Sequence, residues 1–423
     1  MDADGLRLVP FRGLRYAPER VGSLAAVTSP PYDVVVRPDQ VEQLETADPY
    51  NIVRLILPQT ADPAARHRKA AETLRAWEAE GVLVRDAEPA LYVYEQRRGE
   101  LVQRGLIGAL RLSPPEEGVV LPHEDVMPQV VEDRLALMRE TGANLEPLLL
   151  SYRGDGTATG ATGVIERAVK RAPLLSTTTT DGFAHRLWSV TEPGELAEVD
   201  ADLSSRRALI GDGHHRWATY LRLRAAHPER PAWNHGLVLL VDTMRYPLRV
   251  SAIHRFLPHL TPAAALARLG DAFRVRPLAA PLPDALAALE ETPGNAFLLA
   301  GGPDSFHLLD RPSPDLLSST VRHDRPQTWR TLDATVLHAA LLNAVWEVPD
   351  RPSDIGYLHS AEAAVAKAAR TGGSAVLMRA AAESTVLELA QQGVTMPRKS
   401  TSFGPKPATG LVLRTLDDPA DLA

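Results

Sequence analysis

Apolar and polar residues change their spacing along this chain, and each change predicts an element. The opening segment, as far as VTSPPYDVV, mixes prolines with short apolar runs, which reads as extended chain and turns rather than helix. A helix fits residues 64–81, where Ala, Arg, Glu and Leu dominate and Gly81 supplies the stop. In PALYVYEQRRGELVQRGLIGALRL, aromatic and β-branched residues flank a turn near Arg98 to Glu100, the pattern of a hairpin. A loop ending in LPHEDVMPQ follows, then a helix from about residue 130 to 141 and a strand in EPLLLSYRG. Residues 154–181, rich in Gly, Ala and Thr, predict a helix between loops. HRLWSVT predicts a strand and residues 195–205 a short helix.

The clearest pattern lies in RRALIGDGHHRWATYLRLRAAHPERP: an apolar strand, a Gly-Asp-Gly turn, and a helix that runs to a Pro-rich stop. GLVLLVDT and LRVSAIHRFL supply two more strands. From about Thr261 the texture becomes Ala/Leu/Pro-rich, with short strands such as NAFLLAG. A strand–helix–loop–strand unit from SAVLMR to LVLR closes the pattern. At 423 residues the chain exceeds the usual size of one hydrophobic core. The expectation is an α/β protein with mixed sheets in two domains, residues 1–260 and 261–423, with a loop of the second returning to the site of the first.

Composition narrows the function classes. With no cysteine, the chain can form no disulfide, thiolate metal site or thiol nucleophile, and it suits a reducing cytoplasm. Its formal charge is −7 and its basic residues are scattered, which argues against nucleic acid as a partner. No apolar run approaches the roughly 20 residues that cross a bilayer, so no membrane partner is expected. The first residues place acids ahead of apolar positions, unlike a signal peptide.

Three polar stretches carry candidate chemistry. In LIGDGHHRWATY, Gly211 and Gly213 allow a sharp turn into a helix whose first N–H groups attract anions. Arg216 adds a candidate phosphate contact, and His214 and His215 candidate donors to a transferring group. Asp212 would repel phosphate unless it caps the helix or holds a cation, so it is a candidate cap or Mg²⁺ ligand. The plainer alternative is a capped strand-to-helix turn with two surface histidines. In LPHEDVMP, Glu124 is a candidate general base and His123 or Asp125 a metal or substrate contact, with Arg134 placed to pair with one carboxylate. In MPRKSTSFGPKPATG, prolines and glycines present Arg398, Lys399 and Lys406, and Ser400 and Thr401 add hydroxyls, as in a loop closing on an anion. Tyr32 and Asp33 in PPYDV, and His254 with Arg255 at a strand end, are candidate substrate contacts. Asn51 and Arg54 in DPYNIVRL read as architectural.

PPYDV, DPYNIVRL, PHE followed by DRL, GDGHHRWAT, the His254-Arg255 pair and MPRKSTSFGPKPATGLVLR resemble, in this order, a prokaryotic family catalogued as domain of unknown function 1015. Gly211, Trp217 and Ala252-Ile253 stand where that family usually has Ala, Tyr and Pro-Thr. More distantly, the strand–GDGHHRWAT–helix unit resembles the phosphate-binding box of the ParB/sulfiredoxin superfamily, whose members include a CTP-hydrolysing partition protein, sulfiredoxin and free-serine kinases. Sulfiredoxin chemistry needs a cysteine, and the partition protein a DNA-binding helix-turn-helix. The kinase branch needs a carboxylate base and phosphate-binding cations, both present here.

The resemblance therefore implies a nucleotide-dependent phosphotransferase acting on a small metabolite, for example a hydroxy amino acid such as serine, with Mg²⁺ and a nucleoside di- or triphosphate. Two alternatives stay open. One is a metal-dependent phosphatase or hydrolase, with His123, Asp212, His214 and His215 as ligands. The other is a non-catalytic nucleotide sensor.

Overall fold

A computed structural model describes residues 5–35 and 37–416. The chain divides into two compact units. Unit 1 takes the chain up to Pro122, Val126–Leu248 and the chain from Pro405 on; unit 2 takes His123–Asp125 and Arg249–Gly404. Against the expected change near residue 260, the units change at Leu248/Arg249, and the second expected domain gives its last stretch back to unit 1.

Unit 1 is built on a nine-stranded mixed sheet. Its strands are β1 (Leu8–Val9), β2 (Leu91–Arg98), β3 (Leu101–Arg111), β4 (Val120–Leu121), β5 (Leu148–Tyr152), β6 (Leu175–Thr178), β7 (Ala184–Val190), β8 (Ala208–Asp212) and β9 (His235–Asp242). They lie in the order β4-β8-β5-β9-β3-β2-β7-β6, with β1 against β3. β8 runs parallel to β4 and antiparallel to β5, and β5 runs parallel to β9. The continuous apolar runs of β5 and β9 are buried along their length, as strands covered on both faces require. The expected hairpin forms as β2 and β3, turning at Gly99 and Glu100.

Three helices of this unit bear on the site. α1 (Arg66–Ala79) fills the predicted helical stretch, and α2 (Pro128–Thr141) starts on a proline, whose missing N–H no first-turn position needs. α3 (His214–Ala226) follows β8 and packs against α2, its Thr219 hydroxyl within 3.4 Å of the Val131 carbonyl. A helix over Pro38–Ala47 was not expected. It buries only Val41, so it leaves no apolar stripe to read. A strand at 175–178 likewise appears within the stretch read as loop.

Unit 2 holds an antiparallel six-stranded sheet made from Arg274–Leu278, Ser305–Asp310, Ala296–Gly302, Ser374–Leu377, His254–Leu257 and Gly356–Leu358, in that order. Its two cores gather around Trp346 with Leu337 and Leu341, and around Phe306 with Ala364 and Ala368. LRVSAIHRFL, expected as one strand, is broken at Ala252-Ile253. Arg249–Ser251 pairs with Ser402–Gly404, whereas His254–Leu257 joins the six-stranded sheet.

Candidate phosphate-binding site

The end of β8 is the focus of unit 1. Gly211 lies inside the strand, where the register against β5 slips between Ile210 and Asp212. A bulge at this glycine re-aims the next residue. The expected Gly-Asp-Gly turn is thus reduced to Gly213. Asp212 does not cap the helix; it ends the strand, and Gly213 takes the N-cap position with φ 100°. A side chain there would be strained by that φ, and its Cβ would fall 2.7 Å from the Leu148 side chain. Only glycine fits the turn.

Beneath the turn lies a network of charges in which Asp212, Arg216, Glu146 and Arg134 are buried and Lys406 and Asp33 half-buried. Lys406 Nζ is 2.5 Å from Asp212 Oδ1 and 2.5 Å from Asp33 Oδ2. Arg216, one helical turn on from Asp212, donates from Nη2 to Asp212 Oδ2 at 2.7 Å and from Nη1 to the Pro147 carbonyl at 3.2 Å. Glu146 accepts the Tyr32 backbone N–H at 2.9 Å. The Tyr32 ring carries the Arg134 guanidinium 4.5 Å from its centroid and that of Arg216 at 5.6 Å. Arg134 completes its bonding within unit 1, with the Ile56 carbonyl at 2.8 Å and its neighbour Asp133 at 3.0 Å.

Burial opposes the charges of Asp212, Lys406, Arg216 and Glu146, and at the first three the partners answer it. Asp212 is pushed up by desolvation, yet Lys406 and Arg216 beside it bring its carboxyl below the usual value. Lys406 loses hydration, but Asp212 and Asp33 raise its affinity for its proton. Arg216 is likewise held charged by Glu146, Asp212 and Asp33. At Glu146 desolvation prevails over Arg216 and the Tyr32 N–H, and its pKa is raised.

These contacts correct two expectations. Arg216, 1% exposed, has turned inward to Asp212 and does not present its fork to a ligand. Lys406 is no lid cation; it is the counter-charge of Asp33 and Asp212. His215 Nε2 accepts the Met127 N–H at 3.0 Å, at the N-cap of α2, so that nitrogen carries a lone pair and is already engaged. His214 is buried at the first position of α3.

The remaining candidates belong to unit 2. His123 is buried, with Nε2 3.0 Å from the Thr401 hydroxyl and its ring 5.3 Å from that of Phe403. The His123 carbonyl accepts the Met396 N–H at 2.8 Å, and Glu124 bridges to Met396, which ties the short 123–125 stretch to the loop after it. Asp125 is exposed. Ser400 is buried and its hydroxyl turns to the Pro397 carbonyl, so neither Ser400 nor Thr401 is presented as expected. Arg398 pairs with Asp350 at 3.2 Å, and Lys399 is exposed with φ 57°. His254 Nδ1 accepts the Met378 N–H at 3.2 Å, and burial lowers its pKa to about 4. Arg255, fully buried, donates to His338 Nε2 at 3.1 Å and stacks 4.7 Å from the Tyr357 ring, and burial lowers its pKa to about 10.

Glu146 and Asp133 were missed. Glu146 did leave a trace in the sequence: an acid within NLEPLLL, flanked by apolar residues, predicts a buried carboxyl with partners. Asn51 is architectural as read, donating to the Ala26 and Thr28 carbonyls.

A resident metal ion fits this site poorly. Lys406 already spans Asp33 and Asp212, and among the described residues no group of three or more His, Asp or Glu side chains is placed to hold a metal. Among the described residues, too, no helix is long and apolar enough to cross a membrane.

The model of the family described as "Protein of unknown function (DUF1015)" matches residues 8–335, and the chain belongs to that family. Among solved structures the chain is similar to a mutant free serine kinase in complex with ADP, at 16% identity and TM-score 0.38, covering 75% of this chain and 94% of that one. It is also similar to a C-terminally truncated SbnI from Staphylococcus aureus, at 11% identity and TM-score 0.37, covering 74% and 90%. A conserved hypothetical protein from Pyrococcus furiosus matches at 16% identity and TM-score 0.34, covering 69% and 92%. No curated protein matches the chain.

Proposed function

We propose that unit 1 binds the phosphates of a nucleotide at the start of α3, and that the protein is a nucleotide-dependent phosphotransferase acting on a small metabolite such as a hydroxy amino acid. The observation that carries this reading is the turn at Gly213. A glycine-only bend, set at the carboxyl end of a sheet strand, opens a 13-residue helix. Such a helix start offers amide donors and the positive end of the helix dipole to an anion.

The charges beneath the turn have a role in this reading that the sequence did not suggest. An ionised Asp212 next to a bound phosphate would repel it. Lys406 and Arg216 cancel that charge and the charge of Asp33, so the helix start keeps its attraction for an anion. They are positioning residues. Transfer of a phosphoryl group rests mainly on positioning and charge neutralisation, which suits a site built this way. Magnesium enters only as the counter-ion a nucleotide carries in solution, and no step is assigned to it.

Isothermal titration of the full chain with ADP, ATP, CTP and GTP, each with and without Mg²⁺, tests the reading. Binding of at least one nucleotide, weakened tenfold or more in Gly213→Ala, is expected. No binding by any of the four sinks the proposal. Incubation with ATP and L-serine, read as phosphoserine, then tests the transfer step separately.

A further inference from the structure

Unit 2 contains a cavity of about 370 Å³ that the reading of unit 1 does not use. Its size lies within the roughly 300–1,000 Å³ of small-molecule sites. Charges along its wall differ in what they already hold. Arg322 is paired with Asp324 and Asp350 with Arg398. Arg325 and Asp125 line the same cavity, yet among the described residues neither makes an ion pair or hydrogen bond; Arg325 Nε is buried with no acceptor, and the guanidinium rests 5.7 Å from the Trp329 ring centroid. Arg325 has Asp324 as a neighbouring charge, but Arg322 already holds that carboxylate; a cation and an anion in one cavity that among the described residues make no hydrogen bond or close ion pair match a ligand that carries both charges.

The neutral groups of the wall are donors. His338 faces Arg255 through Nε2, at 3.1 Å from Nε and 2.9 Å from Nη2. A guanidinium only donates, so Nε2 holds the lone pair and the proton sits on Nδ1. Burial and the Arg255 charge keep that ring neutral, its pKa lowered to about 4. His338 therefore offers an N–H. Thr335 is 1% exposed, and among the described residues its hydroxyl has no hydrogen-bond partner, although a helical threonine ordinarily bonds back to a carbonyl of the preceding turn. The backbone beside it departs from the α-helix: Leu337–Val345 is a π-helix, with Trp346 N–H bonded to the Leu341 carbonyl five residues back. The wider turn sets Asn343 one turn from His338, on the same wall of the cavity.

We propose that this cavity binds a small zwitterion, an amino-acid-like molecule whose carboxylate meets Arg325, Thr335 and His338 and whose ammonium meets Asp125. The inference is independent of nucleotide binding by unit 1, so either can fail alone.

The test uses the full chain, thermal-shift screening with the common L-amino acids one at a time, and isothermal titration of any that bind. For a hit such as L-alanine, propionate lacks the ammonium and ethylamine lacks the carboxylate; each should bind at least tenfold more weakly. Arg325→Gln and Asp125→Asn should each weaken the hit tenfold or more, with circular dichroism unchanged. Asp125 is exposed, so its substitution decides the matter even if Arg325→Gln fails to fold. A screen without a single binder overturns the proposal. So does propionate binding as tightly as alanine, or a hit that Asp125→Asn leaves unchanged.

Discussion

Lys406 and Asp33 lie 373 positions apart in the chain and 2.5 Å apart in space. With Asp212 on its other side, the ammonium joins a turn near the start of the sequence, the end of β8 and the last part of unit 1. Removing it leaves two carboxylates, Asp212 buried and Asp33 half-buried, with Arg216 as the cation that still acts on both.

Lys406→Met is therefore expected to destabilise unit 1 by about 3–5 kcal/mol, the usual cost of removing one partner from a buried ion pair. Urea unfolding reads the loss. Adding Asp33→Asn should restore part of it, because one of the stranded charges is then gone. A Lys406→Met protein as stable as the parent would show that the network holds nothing together.

Gly213→Ala should cost roughly 1–3 kcal/mol from the left-handed backbone alone, with the Leu148 contact adding to it. Differential scanning calorimetry checks this. Gly99→Ala gives the comparison: φ there is 57°, with open space around the Cβ position, so it should cost less.

Four largely desolvated histidines, two of them buried and two half-buried, make the protein sensitive to mild acid. Desolvation lowers His185, His235, His254 and His338 from 6.5 to about 4. Each folded-state pKa is depressed, so the stability it contributes is present above the unfolded value and is lost as pH falls from there through about 4. The depressed Asp212 acts in the same direction lower on the scale. Melting temperature should fall steeply between pH 6.5 and 4, and His185→Gln, which removes a proton site stacked beside Tyr94, should flatten that fall. A melting temperature constant across this range would refute the account.

His123→Ala should free the strand Ser402–Gly404. The substitution takes away the partner of the Thr401 hydroxyl and the ring beside Phe403, at about 1–3 kcal/mol. Faster hydrogen exchange at amides 401–404, with β5 and β9 of unit 1 unchanged, is the expected signature.

The sequence announced some of this and concealed the rest for identifiable reasons. β8 and α3 were legible because an apolar run, a glycine and a helical period follow one another within 208–226. The helix Pro38–Ala47 was not, since an element that buries only Val41 writes no stripe. The turn and its glycine were recognised, but the direction of Arg216 was not. That direction is set by Pro147, Asp212 and Glu146, and a sequence does not show that the first and last of these, 69 and 70 residues away in the chain, stand beside it in the fold. Lys406 was read as a member of a basic loop with Arg398 and Lys399, yet it belongs to unit 1 and they to unit 2. The cavity of unit 2 left no motif, because Asp125, Arg325 and His338 come from separate stretches.

The return of the chain to unit 1 at Pro405 also sets an order of events during synthesis. A ribosome translating this message makes every residue of unit 2 before Lys406 leaves its exit tunnel. Until then Asp33 and Asp212 lack that counter-ion, and a nascent chain stalled or cleaved anywhere short of Lys406 would leave Arg216 to answer Asp212 without the lysine. Emergence of Lys406 is therefore the step that brings the lysine to both carboxylates.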